Sequence, residues 1–370
     1  MTNKINQLNS NGFVSTAVTL LSFLAATALL FVIGRNPAGM YQAFFQVISG
    51  YDSRRETWNA RYIGEWLVIS IPLILCALSV GFAFRSGLFN IGAEGQYIAG
   101  LTAAQLIAVS FPPVPVLHPA AAVLGAMAAG AAWGGIAGYL KARFNVSEVV
   151  STIMMNYIAL YAHRIITLGI PGSKSFRTPD FSATASLSSA ALASLTNGSR
   201  LNHGLWLTVL AILVFWLLME KTALGYSLRA AGLNRDAAKY AGINVNFNTT
   251  TAMTIAGAFA GLAGSAVALG MFTHGRVLAS FDNYGFDAIV AALGGNCTAI
   301  GITVMGLLFG MLKSAQPLMQ ARQIPPDITT IIMGLVVIFI SLRSGIKLFA
   351  EWKMKKNLLK NELKIKGDAV

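Results

Sequence analysis

The sequence predicts an all-α polytopic membrane protein with about ten transmembrane segments, some broken or short, and both termini cytoplasmic. Three observations carry that prediction. Over 370 residues the chain is 55% hydrophobic and only 11% charged, whereas soluble domains carry about 25% charged residues. The apolar residues gather into blocks of about 20, the length a helix needs to cross about 30 Å of hydrocarbon. The run Arg85-Ser-Gly-Leu-Phe-Asn-Ile-Gly-Ala-Glu-Gly-Gln-Tyr-Ile-Ala-Gly100 then sets Asn90, Glu94 and four glycines inside such a block. Hydrocarbon accepts neither a lone charge nor unpaired backbone, so this run should face protein or a water-filled path.

Taken in order, the blocks lie near residues 13–34, 63–84, 88–110, 119–140, 146–168, 204–219, 250–273, 285–296, 299–318 and 327–345. Residues 1–12 form a short cytoplasmic N-terminus. The first block has no small-residue cleavage site behind it and is expected to stay as a helix rather than leave as a signal peptide. Pro112, Pro113 and Pro115 mark the turn between the third and fourth blocks. The Ser/Ala/Thr-rich stretch 169–203 has the size of an external loop with a little structure of its own. The eighth block is shorter than a full crossing. Residues 346–370 form a basic tail with Lys353, Lys355, Lys356, Lys360, Lys364 and Lys366. The net charge of +13 therefore reflects a positive-inside terminus and not nucleic-acid binding. With both ends inside, Lys4, Arg85, Lys141, Arg143, four cations in the 220–248 loop and eight from Arg343 onward make 16 cytoplasmic cations. The 11 on the outer side include Arg54, Arg55 and Arg61. Residues 13–345 thus make one transmembrane domain.

The third and eighth blocks invite comparison. Both are interrupted by glycine and both carry a carboxylate, Glu94 in one and Asp287 in the other. In a ten-segment chain they are the third members of two five-segment halves, and broken segments at matching positions point to a transport site. A 5+5 repeat is the corresponding hypothesis.

Between the sixth and seventh blocks, within the 220–248 loop, Leu224 to Val245 is expected to form two short helices. The first covers about Tyr226 to Ala231 and ends at Gly232, placed at a left-handed C′ position. Asn234 caps the second, which runs to Tyr240 and stops at Gly242, with Asp236 in its first turn and Lys239 in its last. Two helical turns are too short to be stable alone in water, so docking into a partner's cleft, with Ala237 and Ala238 permitting close approach, stands beside an ordinary connecting loop.

The chain has no G-x-x-x-x-G-K-[ST] phosphate loop and no Gly-Lys dipeptide, so any nucleotide is hydrolysed by another subunit. Hydrolase and zinc-protease motifs are likewise missing. Cys76 and Cys297 read as packed apolar thiols. His118, His163, His203 and His274 are scattered at block edges and read as solvated or interfacial, not as a zinc site. Neither a catalytic residue nor a metal ligand is expected.

The run Gly87-Leu-Phe-Asn-Ile-Gly-Ala-Glu-Gly-Gln96 resembles the hallmark of permease subunits from bacterial ABC importers for nucleosides and simple sugars. The likeness continues through Leu140-Lys-Ala-Arg-Phe-Asn-Val-Ser-Glu-Val-Val150 and Thr152-Ile-Met-Met-Asn-Tyr157. It takes in Gly225-Tyr-Ser-Leu-Arg-Ala-Ala-Gly-Leu-Asn234 with Ala237-Ala-Lys-Tyr-Ala-Gly-Ile-Asn244, then Gly257-Ala-Phe-Ala-Gly-Leu-Ala-Gly264 and Gly285-Phe-Asp-Ala-Ile289. It covers roughly residues 60–345. One departure follows the eighth block. Where the family usually shows Leu-Leu-Gly-Arg-Asn-Asn-Pro-Leu-Gly, this chain has Ala292-Leu-Gly-Gly-Asn-Cys-Thr-Ala-Ile-Gly301, with Gly295 for the arginine and Thr298 for the proline.

The resemblance implies a permease of the bacterial cytoplasmic (inner) membrane that moves nucleosides, or alternatively simple sugars, by alternating access. Two different permeases would pair across a central pathway. A separate ATPase, often of double length, would hold the ATP and Mg, and an extracytoplasmic protein would deliver substrate. The loop residues Gly225, Arg229, Gly232, Asn234, Arg235, Asp236, Ala237, Tyr240 and Gly242 would couple to the ATPase. Asn90, Glu94, Gln96, Asn156, Phe286 and Asp287 are candidates for lining the pathway or for bracing broken helices. A buried carboxylate that accepts backbone N–H bonds would hold the fold without meeting substrate, and Asn156 could equally bond between helices. The rival from another class is an ion-coupled secondary transporter with Glu94 and Asp287 as proton sites.

Overall fold

The computed structural model describes residues 11–111 and 114–341. The first ten residues, Pro112, Pro113 and the expected basic tail lie outside them. The described chain is helical, in the order α1 (Asn11–Val32), α2 (Ala38–Ser49), α3 (Arg61–Arg85), α4 (Ala93–Ser110), α5 (Leu117–Phe144), α6 (Glu148–Leu168), α7 (Ala190–Leu195), α8 (Gly204–Lys221), α9 (Ala223–Leu233), α10 (Arg235–Tyr240), α11 (Val245–Gly270), α12 (Tyr284–Gly294), α13 (Ala299–Gln320) and α14 (Asp327–Ser341). Four short strands pair off as two antiparallel ribbons: β1 (Tyr51–Asp52) with β2 (Thr57–Trp58), and β3 (Arg177–Asp180) with β4 (His274–Arg276).

Each apolar block overlaps a helix, and α3, α5, α6, α8, α11 and α13 are long and apolar enough to cross a membrane. The third block differs from expectation. Its helix starts at Ala93 and not at 88, because Gly87 takes φ +76° and the segment to Gly92 runs outside helical geometry. Helix α2, between the first two blocks, has no counterpart among them.

Among the described residues the chain divides into two compact units, residues 35–329 and a smaller one made of residues 11–34 with 330–341. The smaller unit contains α1 and most of α14. In the larger, α3 and α11 form the core, and both are mostly buried along their apolar stretches. Helix α11 packs against α4 and α5, α3 packs against α12 and α13, and the two core helices meet each other. The second segment thus sits with the eighth and ninth, and the seventh with the third and fourth. This crosswise pattern is what two five-segment halves would produce if they exchanged their second members.

Close approach on α11 depends on small residues. A Cβ at Gly257 would strike the Gly130 carbonyl, and one at Gly261 the Ala126 carbonyl. Spaced four apart, the pair lies on one helix face and lets the α5 backbone touch α11, as small-xxx-small seams do in membranes.

The two ends of the larger unit differ. One carries the α8–α11 connection beside the end of α3. The other carries both β-ribbons, a bidentate Arg200–Glu65 ion pair (2.6 Å at its shortest) and the Arg54 bond to the Ala321 carbonyl.

Candidate functional site

The two broken segments meet inside the larger unit. The third enters from the α8–α11 end through non-helical turns and becomes α4 at Ala93. The eighth leaves β4 at the opposite end and becomes α12 at Tyr284. Each helix therefore begins in the interior, where the first N–H groups of a helix have no intrahelical partner.

Side chains of the protein fill that need. Glu94, fully buried in the first turn of α4, accepts hydrogen bonds from the backbone N–H of Asn283 (2.9 Å) and Gly285 (2.6 Å). It thereby caps α12 from another helix and supplies the negative charge that a helix N-terminus favours. Gly285 has no side chain because a Cβ there would overlap the Glu94 backbone. Asn156, from the middle of α6, accepts from Gly95 N–H (2.8 Å) and donates to the Ile91 carbonyl (3.1 Å), fixing the start of α4. Asn90 Oδ1 accepts from Gly92 N–H (3.0 Å), and its amide pairs with that of Gln96, with bonds of 2.9 and 3.1 Å. Ser79 of α3 donates to Gln96 Oε1 (3.2 Å).

Four of the six residues expected to line or brace, Asn90, Glu94, Gln96 and Asn156, are thus buried with hydrogen-bond partners around the two helix starts. The other two lie on α12 and remain part-exposed. Asp287 pairs with Lys313 of α13 at 2.5 Å, and the Lys313 ammonium sits 5.1 Å from the Tyr284 ring centre. Phe286 meets Phe281 edge-on.

Sequence reading missed the other side of this junction. Asp282 takes a bidentate pair from Arg276 (2.7 Å each) and a bond from the Tyr97 hydroxyl (2.8 Å). His163 lies between Thr102 Oγ1 (2.8 Å) and the Arg276 carbonyl (3.0 Å). No spacing links these residues; the one available signal was three polar side chains (Tyr97, Thr102, His163) inside apolar blocks. His118 and His163 are buried cross-links, not solvated or interfacial groups, because each ring finds two polar partners inside the protein.

The loop between α8 and α11 follows its expected outline with two corrections. Helix α9 runs through Gly232 to Leu233, so Gly232 is not a left-handed terminator. It is glycine because its Cβ would lie 2.7 Å from Gly87 N, where α9 crosses the turn after α3. Ala238 is buried and faces the protein's own body, leaving Ala237 exposed. The rest holds. Thr222 Oγ1 accepts from Gly225 N–H (3.0 Å) and Asn234 Oδ1 from Ala237 N–H (3.0 Å). Gly242 takes φ +82° while Ile243 N–H reaches back to the Ala238 carbonyl, closing α10 in a Schellman motif. Glu220 binds both Arg85 and Arg229, tying the loop to the end of α3. Arg235 and Asp236 face solvent, Leu233 is 88% and Tyr240 99% exposed, and Tyr226 is exposed as well. Three large side chains, Tyr226, Leu233 and Tyr240, are thus bare on one short loop.

The departure after α12 has a packing account. Gly295 lies against Gly301, leaving no room for a Cβ. Thr298 caps α13 by accepting from Gly301 N–H (3.1 Å). Among the described residues no group of three or more His, Cys, Asp or Glu is placed to hold a metal.

Residues 62–341 match the family model described as branched-chain amino acid transport system / permease component. The chain is similar to the guanosine ABC transporter permease protein NupP of Bacillus subtilis, with 38% identity over 94% of this chain and 97% of that protein. It is also similar to the nucleoside ABC transporter permease protein NupB of Lactococcus lactis, at 35% over 92% and 93%. The glucose ABC transporter permease protein TsgB13 of Haloferax volcanii follows at 32% over 87% and 86%.

Proposed function

The chain belongs to the branched-chain amino acid transport system permease family, and from that premise we propose that it is the membrane subunit of an ABC importer that carries nucleosides across the bacterial cytoplasmic membrane. One observation carries the substrate: the likeness to a guanosine and a nucleoside permease runs over nine-tenths of the chain at higher identity than the likeness to a glucose permease. The sugar permease, matched over most of its length, keeps simple sugars as the second reading.

The chain is no enzyme in this scheme. ATP and Mg belong to a partner ATPase, of double length if it follows the pattern of the branch. A second, related permease completes the pathway, and an extracytoplasmic protein delivers substrate. Ten crossings with both termini inside put the α9–α10 loop in the cytoplasm, where Leu233, Asp236, Ala237 and Tyr240 meet the ATPase. The Glu220 pairs with Arg85 and Arg229 then pass its motion to α3, and α3 packs on α12. Nucleotide shifts the inward–outward equilibrium only as far as the two states differ in affinity for it.

The test is radiolabelled nucleoside and sugar uptake in cells with and without this chain, with ATP depletion as a second arm. Nucleoside uptake that needs both the chain and ATP is the expected result. Loss of sugar uptake alone would move the protein to the sugar branch. Uptake that follows the proton gradient and ignores ATP would overturn the importer and restore Glu94 and Asp287 as proton sites.

A further inference from the structure

Beside the capped helix ends runs a chain of three aromatic rings. Tyr157 of α6 meets Phe281 edge-on at 5.2 Å between centroids, and Phe281 meets Phe286 of α12 at 5.5 Å. Tyr157 is 49% exposed, and both phenylalanines are part-exposed. The rings are therefore a surface at the depth of the junction and not core. Their surroundings are mixed: Val150, Met154 and Ile158 are exposed near Tyr157 on α6, with polar groups among them. Asn283 is exposed beside Phe281, and Tyr161 and Arg164 are exposed one and two turns along α6 from Tyr157. Hydrocarbon would penalise Asn283, exposed where α12 begins, and Arg164, exposed on α6, so the part of the face that carries them borders water or protein.

The charges at the junction are compensated within the protein. Helix N-termini that begin inside a membrane are where anionic substrates are captured in other transporters. Here Glu94 already occupies the end of α12, and the Asn156 and Asn90 carbonyls occupy that of α4. Asp282 is matched by Arg276 and Asp287 by Lys313. What the junction leaves open is a flat, apolar ring surface with amide and hydroxyl groups at its rim and Arg164 two turns away along α6.

We propose that Tyr157, Phe281 and Phe286 form a stacking station for the base of a neutral nucleoside in transit, and that the internally capped helix ends deny nucleotides a phosphate site there. The proposal rests on the nucleoside-importer reading and adds to it the contact residues and a charge preference. Stacking suits a passage that must hold substrate weakly, since every base offers a π-face whatever its hydrogen-bonding edge.

The test uses the complete importer in cells lacking the native one. Tyr157→Leu and Phe286→Leu keep apolar bulk and remove the ring. Each is expected to lower nucleoside uptake about ten-fold, the scale of one lost base–aromatic stack, at unchanged membrane abundance and ATPase co-purification. Tyr157→Phe and Phe286→Trp, which keep a ring, are expected to retain more uptake than the leucine variants. Leucine variants that import at the wild-type rate would overturn the station. Absence of nucleoside uptake by the wild type would instead sink the importer reading itself. A second arm labels the solubilised complex, free of delivery protein, with a photoreactive azido-nucleoside. Labelled peptides of this chain should map to α6 or 277–286 and be protected by nucleoside but not by its monophosphate. Labelling elsewhere, or equal protection by the monophosphate, would overturn the proposal.

Discussion

Glu94 shows how far a single residue can be read before its surroundings are known. A carboxylate in an apolar, glycine-rich run was legible as exceptional, and both roles, pathway and brace, were open. The structure places both carboxylate oxygens on backbone N–H groups of residues about 190 positions away, a partnership no local pattern encodes. Glu94→Ala is expected to abolish uptake, because two buried donors lose their acceptor at about 1–3 kcal/mol each. A lowered thermal midpoint of the solubilised complex should accompany the loss. Glu94→Gln retains one carbonyl acceptor and should fall between Ala and the wild type in both measurements. Unchanged uptake by Glu94→Ala at normal abundance would remove the residue from the mechanism. Gly232 carries the opposite lesson. Glycine after a short amphipathic stretch suggested a helix terminator, yet its use is contact with the Gly87 backbone. Gly232→Val should force α9 off the turn after α3 and cut substrate-stimulated ATPase activity while leaving membrane insertion unchanged.

Elements were legible where hydrophobic length alone decides them. Every block of about 20 apolar residues lies over a helix, and the polar loop between the sixth and seventh folded as two short helices around Asn234. Helix α2 escaped because its 12 residues are too few to cross a membrane, and because Pro37 and Gly50 frame it like a turn. The start of α4 escaped because, past the turn at Gly87, a tertiary amide network holds the segment to Gly92 out of helical geometry until Ala93. At this scale the docking assignment can be tested directly. Asp236→Arg combined with Ala237→Trp alters the solvent face of α10 without touching its cap or its buried Ala238. The ATPase should then be lost on purification while the permease reaches the membrane. Undiminished co-purification would remove α10 from the docking surface.

At the scale of the whole molecule, the crosswise packing of α3 and α11 bears on the 5+5 hypothesis. Overlaying residues of the first half on those of the second, with the membrane direction reversed, should bring α4 onto α12. Failure of those two broken segments to coincide would end the repeat. The absence of any phosphate loop from the sequence, together with the exposed α9–α10 loop, sets the energetic expectation that uptake collapses with ATP and survives loss of the proton gradient.

The same exchange has a consequence for how the chain is made. When synthesis has passed α6, the third and fourth segments are in place but the helix that fills the seam between them, α11, is still about a hundred residues from completion at Gly270. During that interval Gly100 and Gly130 have no α11 backbone to receive, and Glu94 holds a carboxylate with no α12 to cap. The nascent first half is thus an open form with a charge in its interior, a natural client for membrane chaperones and proteases. A chain stopped before Val245 should be degraded rapidly after insertion, and co-expression of the missing half should rescue it.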